Sequence, residues 1–180
     1  MPQLFFVPNL DDQVDHCDLD QERSHYMCRV MRLETGAKIM AFDGAGKIFS
    51  TTIKSAHPRQ AKLSVDALLS SEERNKNEIA IGLSLIKGGA MDRAIAQATE
   101  LGAQRIILLQ SDRSNVSLKK ERMDKKIEHL KKVAISSCEQ SGRSIVPEIS
   151  RPHSVPEIIE VTKQYFSRRA FLDPKGAPFP

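Results

Sequence analysis

The chain contains only three cysteines, Cys17, Cys28 and Cys138, in 180 residues. They are odd in number, widely spaced and lack a Cys-x-x-Cys pair, which argues against a disulfide framework and against a structural zinc site. The five histidines (His16, His25, His57, His129 and His153) show no His-x-x-x-His spacing, so no metal is expected. No apolar run approaches the ~20 residues that span a bilayer. The opening MPQLFFVPNLDDQ lacks the basic segment and long apolar stretch of a signal peptide. A soluble, cytoplasmic chain without membrane partners is expected. A Gly-x-x-x-x-Gly-Lys-Ser/Thr loop and a Gly-x-Gly-x-x-Gly fingerprint are also missing, which removes two strong signs of a nucleotide site.

What is present is enough for real cores: 40% of the residues are hydrophobic and 28% charged. The first seventy residues read as mostly β. KIMAFDG and KIFSTTIKS flank Asp43-Gly44-Ala45-Gly46, a hairpin signal, because glycine supplies positive φ cheaply. LFFV and KLSVDALL add short strands, and the pattern predicts a small barrel. One helix, Glu22 to Leu33, interrupts them. His25, Arg29 and Arg32 fall within about 60° of one another on it. Met27, Val30 and Met31 are expected to face the barrel.

SSEERNKNE at 70–78 is polar and aperiodic, so it reads as a linker between domains spanning 1–71 and 72–180. Beyond it the pattern becomes β–α–β–α. IAIGLSLI predicts a strand buried on both faces of a parallel sheet. Lys87-Gly88-Gly89 turns into a helix with a Met91, Ala94, Ile95, Ala98 and Leu101 stripe, ended by Gly102. RIILLQ is a second buried strand. A long helix over about 119–141 carries Met123, Ile127, Leu130, Ala134 and Cys138 on its inner face, with Lys125, His129 and Lys132 opposite. Ser154 and Glu157 resemble a capping box for a last helix, and RRAFLD reads as a third strand. The chain then stops at LDPKGAPFP, which predicts an incomplete sheet.

Charge is uneven. Between Arg113 and Lys132 eight Lys/Arg face three acids, net +5 against +4 for the whole chain. Such a run is a solvated face unless a second basic face accompanies it, and the His25/Arg29/Arg32 stripe supplies one. Open α/β sheets bind ligands beyond the carboxyl ends of their strands. Those ends carry KGG at 87–89, SDRS at 111–114 and DPKG at 173–176. The glycine pair could hold an anion at a helix N-terminus or simply make a tight turn. Cys138 continues an apolar stripe, as expected of a buried thiol rather than a nucleophile.

Four separated stretches, SHYMCRVMRLETGAKIMAFDGAG, KGGAMDRAIAQATELGAQRI, SDRS and CEQSGRSIVPEI, resemble in order and spacing the RsmE family of ribosomal small-subunit RNA methyltransferases. The resemblance runs over about residues 4–174. It implies an α/β protein with an N-terminal PUA-like β-barrel for RNA and a C-terminal SPOUT methyltransferase domain with a trefoil knot. It further implies a homodimer that methylates N3 of a uracil in 16S rRNA of the small ribosomal subunit, using S-adenosyl-L-methionine.

Residue by residue, His25, Arg29 and Arg32 match the family's SHHLxRVLR stretch, with Tyr26 in place of the second histidine. Cys138 to Arg143 match CEQSGR unchanged, and Asp112-Arg113-Ser114 match ERS. Leu172, Asp173 and Pro174 align with a strand end bordering the cofactor site. Expected roles follow: catalysis by Arg113, Glu139, Gln140 and Arg143, RNA binding by His25, Arg29, Arg32, Lys125 and Lys132, and cofactor contact by Leu172, Asp173 and Pro174. The family's IGPEGG and LRTETA segments have no counterpart here, so an incomplete cofactor site is expected. An RNA-binding module without catalysis and a cysteine-dependent hydrolase are the rival readings.

Overall fold

A computed structural model describes residues 4–73, 78–110, 120–163, 166–172 and 175–176. The first half forms one five-stranded sheet. Its strands are β1 (Leu4–Phe6), β2 (His16–Asp18), β3 (Lys38–Phe42), β4 (Lys47–Ser55) and β5 (Lys62–Ser71), in the order β1-β3-β4-β5-β2. β1 runs parallel to β3 and every other pairing is antiparallel. Among the described residues no pairing joins β2 back to β1, so the sheet is open. Alternation decides its inner face: Phe49, Thr51 and Ile53 of β4 are buried and their neighbours less so. They pack with Phe5, Val7, Leu10, Ile39, Ala41 and Leu63. The buried Thr51 hydroxyl donates to the Ile39 carbonyl at 3.2 Å, so it brings no unsatisfied group inside.

The interrupting helix differs from its expected form. α1 spans Gln21–His25, capped by Asp20, whose carboxylate accepts from the Arg23 N–H at 2.8 Å. It passes into a π-helical turn over Tyr26–Val30, closed by Met31 N–H donating to the Tyr26 carbonyl at 2.9 Å. The wider turn changes the angular spacing of the side chains. Met27 stays buried at 1% exposure, but Val30 swings out to 58% instead of facing the sheet.

The second half holds a parallel sheet ordered β6-β7-β8, from β6 (Ala80–Ser84), β7 (Arg105–Leu109) and β8 (Glu148–Ile149). α2 (Gly89–Glu100) and α3 (Lys120–Ser141) pack on one face. There Met91, Ile95, Ala98, Met123, Ile127, Leu130 and Ala134 cover Ile106 and Leu108. On the other face Ile158 of α4 (Val155–Thr162) lies beside Gly82 and Leu109. The capping box of α4 is complete: Ser154 N–H donates to the Glu157 carboxylate at 2.8 Å and Glu157 N–H to the Ser154 hydroxyl at 3.4 Å.

Three expectations of this half are corrected. RRAFLD is not a strand: Phe171 and Leu172 are 88% and 83% exposed, and the third strand is Glu148–Ile149. β6 is an edge strand, with Gly82 and Ser84 exposed, because only β7 pairs with it among the described residues. Leu101 leaves the α2 stripe, 78% exposed at the helix C-cap, where the chain turns through Gly102 at φ +88°.

Candidate functional site

Parallel strands and their crossover helices point in opposite directions, so α3 leaves the carboxyl end of β7 and finishes at the amino end of β8. CEQSGR therefore lies at the amino end of the sheet, away from the end where KGG opens α2, while SDRS lies outside the described residues. The first domain is docked at this amino end, through contacts that begin with Gly44 and Ala45 of the DGAG turn. Gly44 and Ala45 bridge to Ile145, and Val146 N–H donates to the Gly44 carbonyl at 2.9 Å. Gly44 has φ +81°, and a Cβ there would stand 2.7 Å from the Phe6 ring and 3.2 Å from Val146. Asp43 shapes the turn by accepting three backbone N–H bonds, from Ala45, Gly46 and Lys47.

Cys138 sits in this seam, not in a reactive site. Fully buried, it packs with Leu4 and Phe42 of the first domain, and its thiol faces the Ile145 carbonyl at 3.5 Å. Burial, reinforced by the neighbouring Glu139 charge, pushes the thiol up to about 12. At neutral pH it stays protonated, which removes the hydrolase reading. Glu139 reaches across the seam and its carboxylate accepts the Phe6 N–H at 3.0 Å. Burial raises its pKa above the ordinary 4.5, against the opposing pull of that hydrogen bond and of Arg23. Arg23 completes the group: its Nε donates to the Phe6 carbonyl at 3.1 Å, and its guanidinium lies 5.1 Å from the Phe6 ring centroid.

Gln140, next along, is exposed. Gly142, at φ +78°, lets Arg143 turn back across Gly102. Arg143 Nε donates to the Glu100 carbonyl at 3.2 Å, satisfying one of the open carbonyls at the end of α2. A cleft of about 190 Å3 opens there, lined by Arg143, Gln104, Glu72, Leu101 and Ile79 among others. Gln104 is 9% exposed, and its side-chain oxygen has no hydrogen-bond partner among the described residues. A buried carbonyl left so costs about 1–3 kcal/mol. Sequence reasoning missed Gln104, because a glutamine before a strand carries no local signal of burial.

His25, Arg29 and Arg32 are all exposed on α1 and the turn after it. Among the described residues no ion pair engages them. Lys125 is exposed too, whereas Lys132 pairs with Glu22 of α1 at 2.8 Å, which joins the two basic faces and holds the Lys132 pKa above its usual range. Arg113, Asp173 and Pro174 lie outside the described residues, and Leu172 is exposed. At the carboxyl ends, α2 begins at Gly88 and Gly89, each facing open space. Ile86 is 42% exposed there, and clefts lie at the seam and beside α3. The described residues at these ends offer a helix N-terminus that faces open space. No group of three or more His, Cys, Asp or Glu is placed to hold a metal among the described residues, and no described helix is long and apolar enough to cross a membrane.

A small β domain docked on the amino end of a parallel α/β domain, with exposed basic side chains that have no ion pair among the described residues, defines a two-domain mixed α/β protein. Residues 73–179 match the RNA methyltransferase domain family and residues 19–66 the RNA methyltransferase PUA domain family. The chain belongs to this RNA methyltransferase family. It is 26% identical over 161 residues to Ribosomal RNA small subunit methyltransferase E of Bacillus subtilis, covering 88% of this chain and 63% of that protein. It is 25% identical over 155 residues to the protein of that name from Buchnera aphidicola, covering 86% and 61%. Among solved structures, the Legionella pneumophila protein Lpg2936, in complex with SAM, superposes with a TM-score of 0.84 at 24% identity, covering 91% of this chain and 67% of that one. Ribosomal RNA small subunit methyltransferase E of Neisseria gonorrhoeae, bound to S-adenosyl methionine, gives 0.78 at 24% identity, covering 88% and 65%. The chain thus spans about six-tenths of the length of the curated relatives it matches.

Proposed function

We propose that the chain is the RNA-gripping and base-orienting part of an S-adenosylmethionine-dependent methyltransferase acting on N3 of a uracil in 16S rRNA of the small ribosomal subunit. The observation that carries this reading is the order of the two matched domains in a single docked unit, whose first domain bears unpaired cations. In this reading the first domain is the PUA-like barrel, the second the SPOUT domain, and the protein works as a cytoplasmic homodimer. The relatives' names and their SAM-bound structures support it.

The methyl group and its activation are the cofactor's chemistry. What this chain supplies is position. His25, Arg29, Arg32 and Lys125 contact RNA phosphates, and Lys132 stands beside them in its pair with Glu22. The target base must leave its stack to be reached. Arg113, four residues beyond the last residue of β7 in the sequence, is proposed as the donor to the uracil carbonyls, where negative charge develops as N3 loses its proton. Glu139 is proposed as a positioning residue that holds the domains in register from the opposite end, Arg143 as one that ties the end of α3 to the end of α2, and Gln140 as an exposed polar contact beside them.

The test is to incubate small-subunit rRNA with the protein and labelled S-adenosylmethionine, then to identify the modified nucleoside by digestion and mass spectrometry. Base-methylated 3-methyluridine is expected. Label in ribose or in another base overturns the N3 assignment. RNA retention without incorporation favours a binding module.

A further inference from the structure

The seam cleft at the amino end of the parallel sheet is separate from the carboxyl ends where methyl transfer is placed, and its lining does not resemble a leftover void. Gln104 is nine-tenths buried, and its side-chain oxygen has no partner among the described residues. Arg143 spends Nε on the Glu100 carbonyl, while its two remaining nitrogens lie over Gly102 without a hydrogen-bond partner among the described residues. Glu72 accepts the buried Ser144 hydroxyl on one carboxylate oxygen at 2.9 Å and lines the cleft. Leu101 and Ile79, 78% and 56% exposed, line the same cleft. Guanidinium, amide and carboxylate thus line one cleft together with two apolar side chains.

We propose that this cleft takes the edge of an unstacked guanine in the bound RNA, a second anchor distinct from the target uracil. The inference rests on the RNA-binding reading above. At about 190 Å3 the space is smaller than the roughly 300–1,000 Å3 of ordinary small-molecule sites, so it suits one planar ring system and not a cofactor. Guanine alone among the bases presents two acceptors, O6 and N7, which an arginine fork matches, beside N–H donors at N1 and N2. Those donors suit the Glu72 carboxylate and the amide oxygen of Gln104, both of which line the cleft, the latter without a partner among the described residues. Leu101 and Ile79 give the ring faces an apolar surface. Single-stranded RNA is read in this way, by splayed bases held on their edges. Gly102 is part of the device, since a side chain there would meet the guanidinium at about 3 Å.

Titration of isotope-labelled protein with guanosine 5′-monophosphate, followed by NMR, tests the site directly. Saturable shifts are expected at the Gln104 side-chain amide and the Gly102 backbone amide, with binding about tenfold weaker for the adenosine and uridine monophosphates. Gln104→Leu, with unchanged spectral dispersion elsewhere, should lose that preference. No response at these two amides in the unaltered protein overturns the site, as does an equal response to inorganic phosphate alone. Equal binding of all three nucleotides overturns the guanine assignment. If guanosine monophosphate binds here but small-subunit rRNA is not retained, the RNA function falls while the nucleobase site stands. If rRNA is retained with Gln104 and Gly102 unmoved, the site falls alone.

Discussion

The carboxylate of Glu139 accepts the backbone N–H of Phe6 at 3.0 Å, joining residues 133 apart and tying the end of α3 to the first strand of the other domain. Around this bond the buried thiol of Cys138, the Gly44 turn and Arg23 form one continuous seam. Its stability can be probed one group at a time.

Glu139 has a pKa raised chiefly by burial. For an acid shifted upward, the protonated form favours the folded state, so its contribution is full below the ordinary 4.5 and is lost as pH rises through the folded value. Glu139→Gln keeps an acceptor for Phe6 without the buried charge. It is expected to flatten that part of the pH dependence and to be neutral or stabilising near pH 7, as read by urea unfolding across the range. Glu139→Ala leaves the Phe6 N–H without its partner and is expected to destabilise by about 1–3 kcal/mol.

Gly46 has φ +125°, and a Cβ on it would run into the backbone carbonyl of Glu72, which has no flexible end to move aside. Gly46→Ala is expected to cost on the order of 3 kcal/mol from strain and overlap together. Gly36→Ala shares a positive φ but meets nothing within 4 Å, so it should cost about 1 kcal/mol. Comparing the two denaturation midpoints separates seam contact from backbone strain.

Cys138 should be the last thiol to react. Under native conditions at pH 8 a disulfide reagent is expected to modify the half-buried Cys17 and Cys28 first, and Cys138 only at the rate at which the seam opens. Fast labelling of Cys138 in mass-spectrometric peptide maps would contradict its burial.

RNA affinity should depend on salt through the exposed cations. Replacing His25, Arg29 and Arg32 together by alanine is expected to lower the salt slope of filter binding by about 2, with His25 adding little when neutral. Lys132→Ala should do less, because its charge is already matched by Glu22 at 2.8 Å. An unchanged slope in the triple variant would remove the proposed phosphate face.

Much of the architecture is legible in local pattern. The α2 stripe up to Ala98, the α3 stripe, the DGAG hairpin and the Ser154–Glu157 cap each report on a neighbourhood of a few residues, and each is found where expected. The burial of Cys138 follows from the same helical spacing. Local pattern fails where the deciding contact is remote. Glu148–Ile149 is too short to show a period, yet it pairs with β7. RRAFLD has the composition of a strand, but Phe171 and Leu172 stand exposed. The π turn carries Val30 outward by widening one loop of helix.

The sequence by itself determined the family, the order of the domains and the apolar faces of α2 and α3, because these are properties of neighbouring residues. Only the tertiary structure decided what covers each face. It placed CEQSGR at the amino end of the parallel sheet, where Glu139 and Arg143 bind other parts of the chain. It also buried Gln104 beside Arg143. Chain direction through the βα crossover sets that placement, and no spacing within the motif records it.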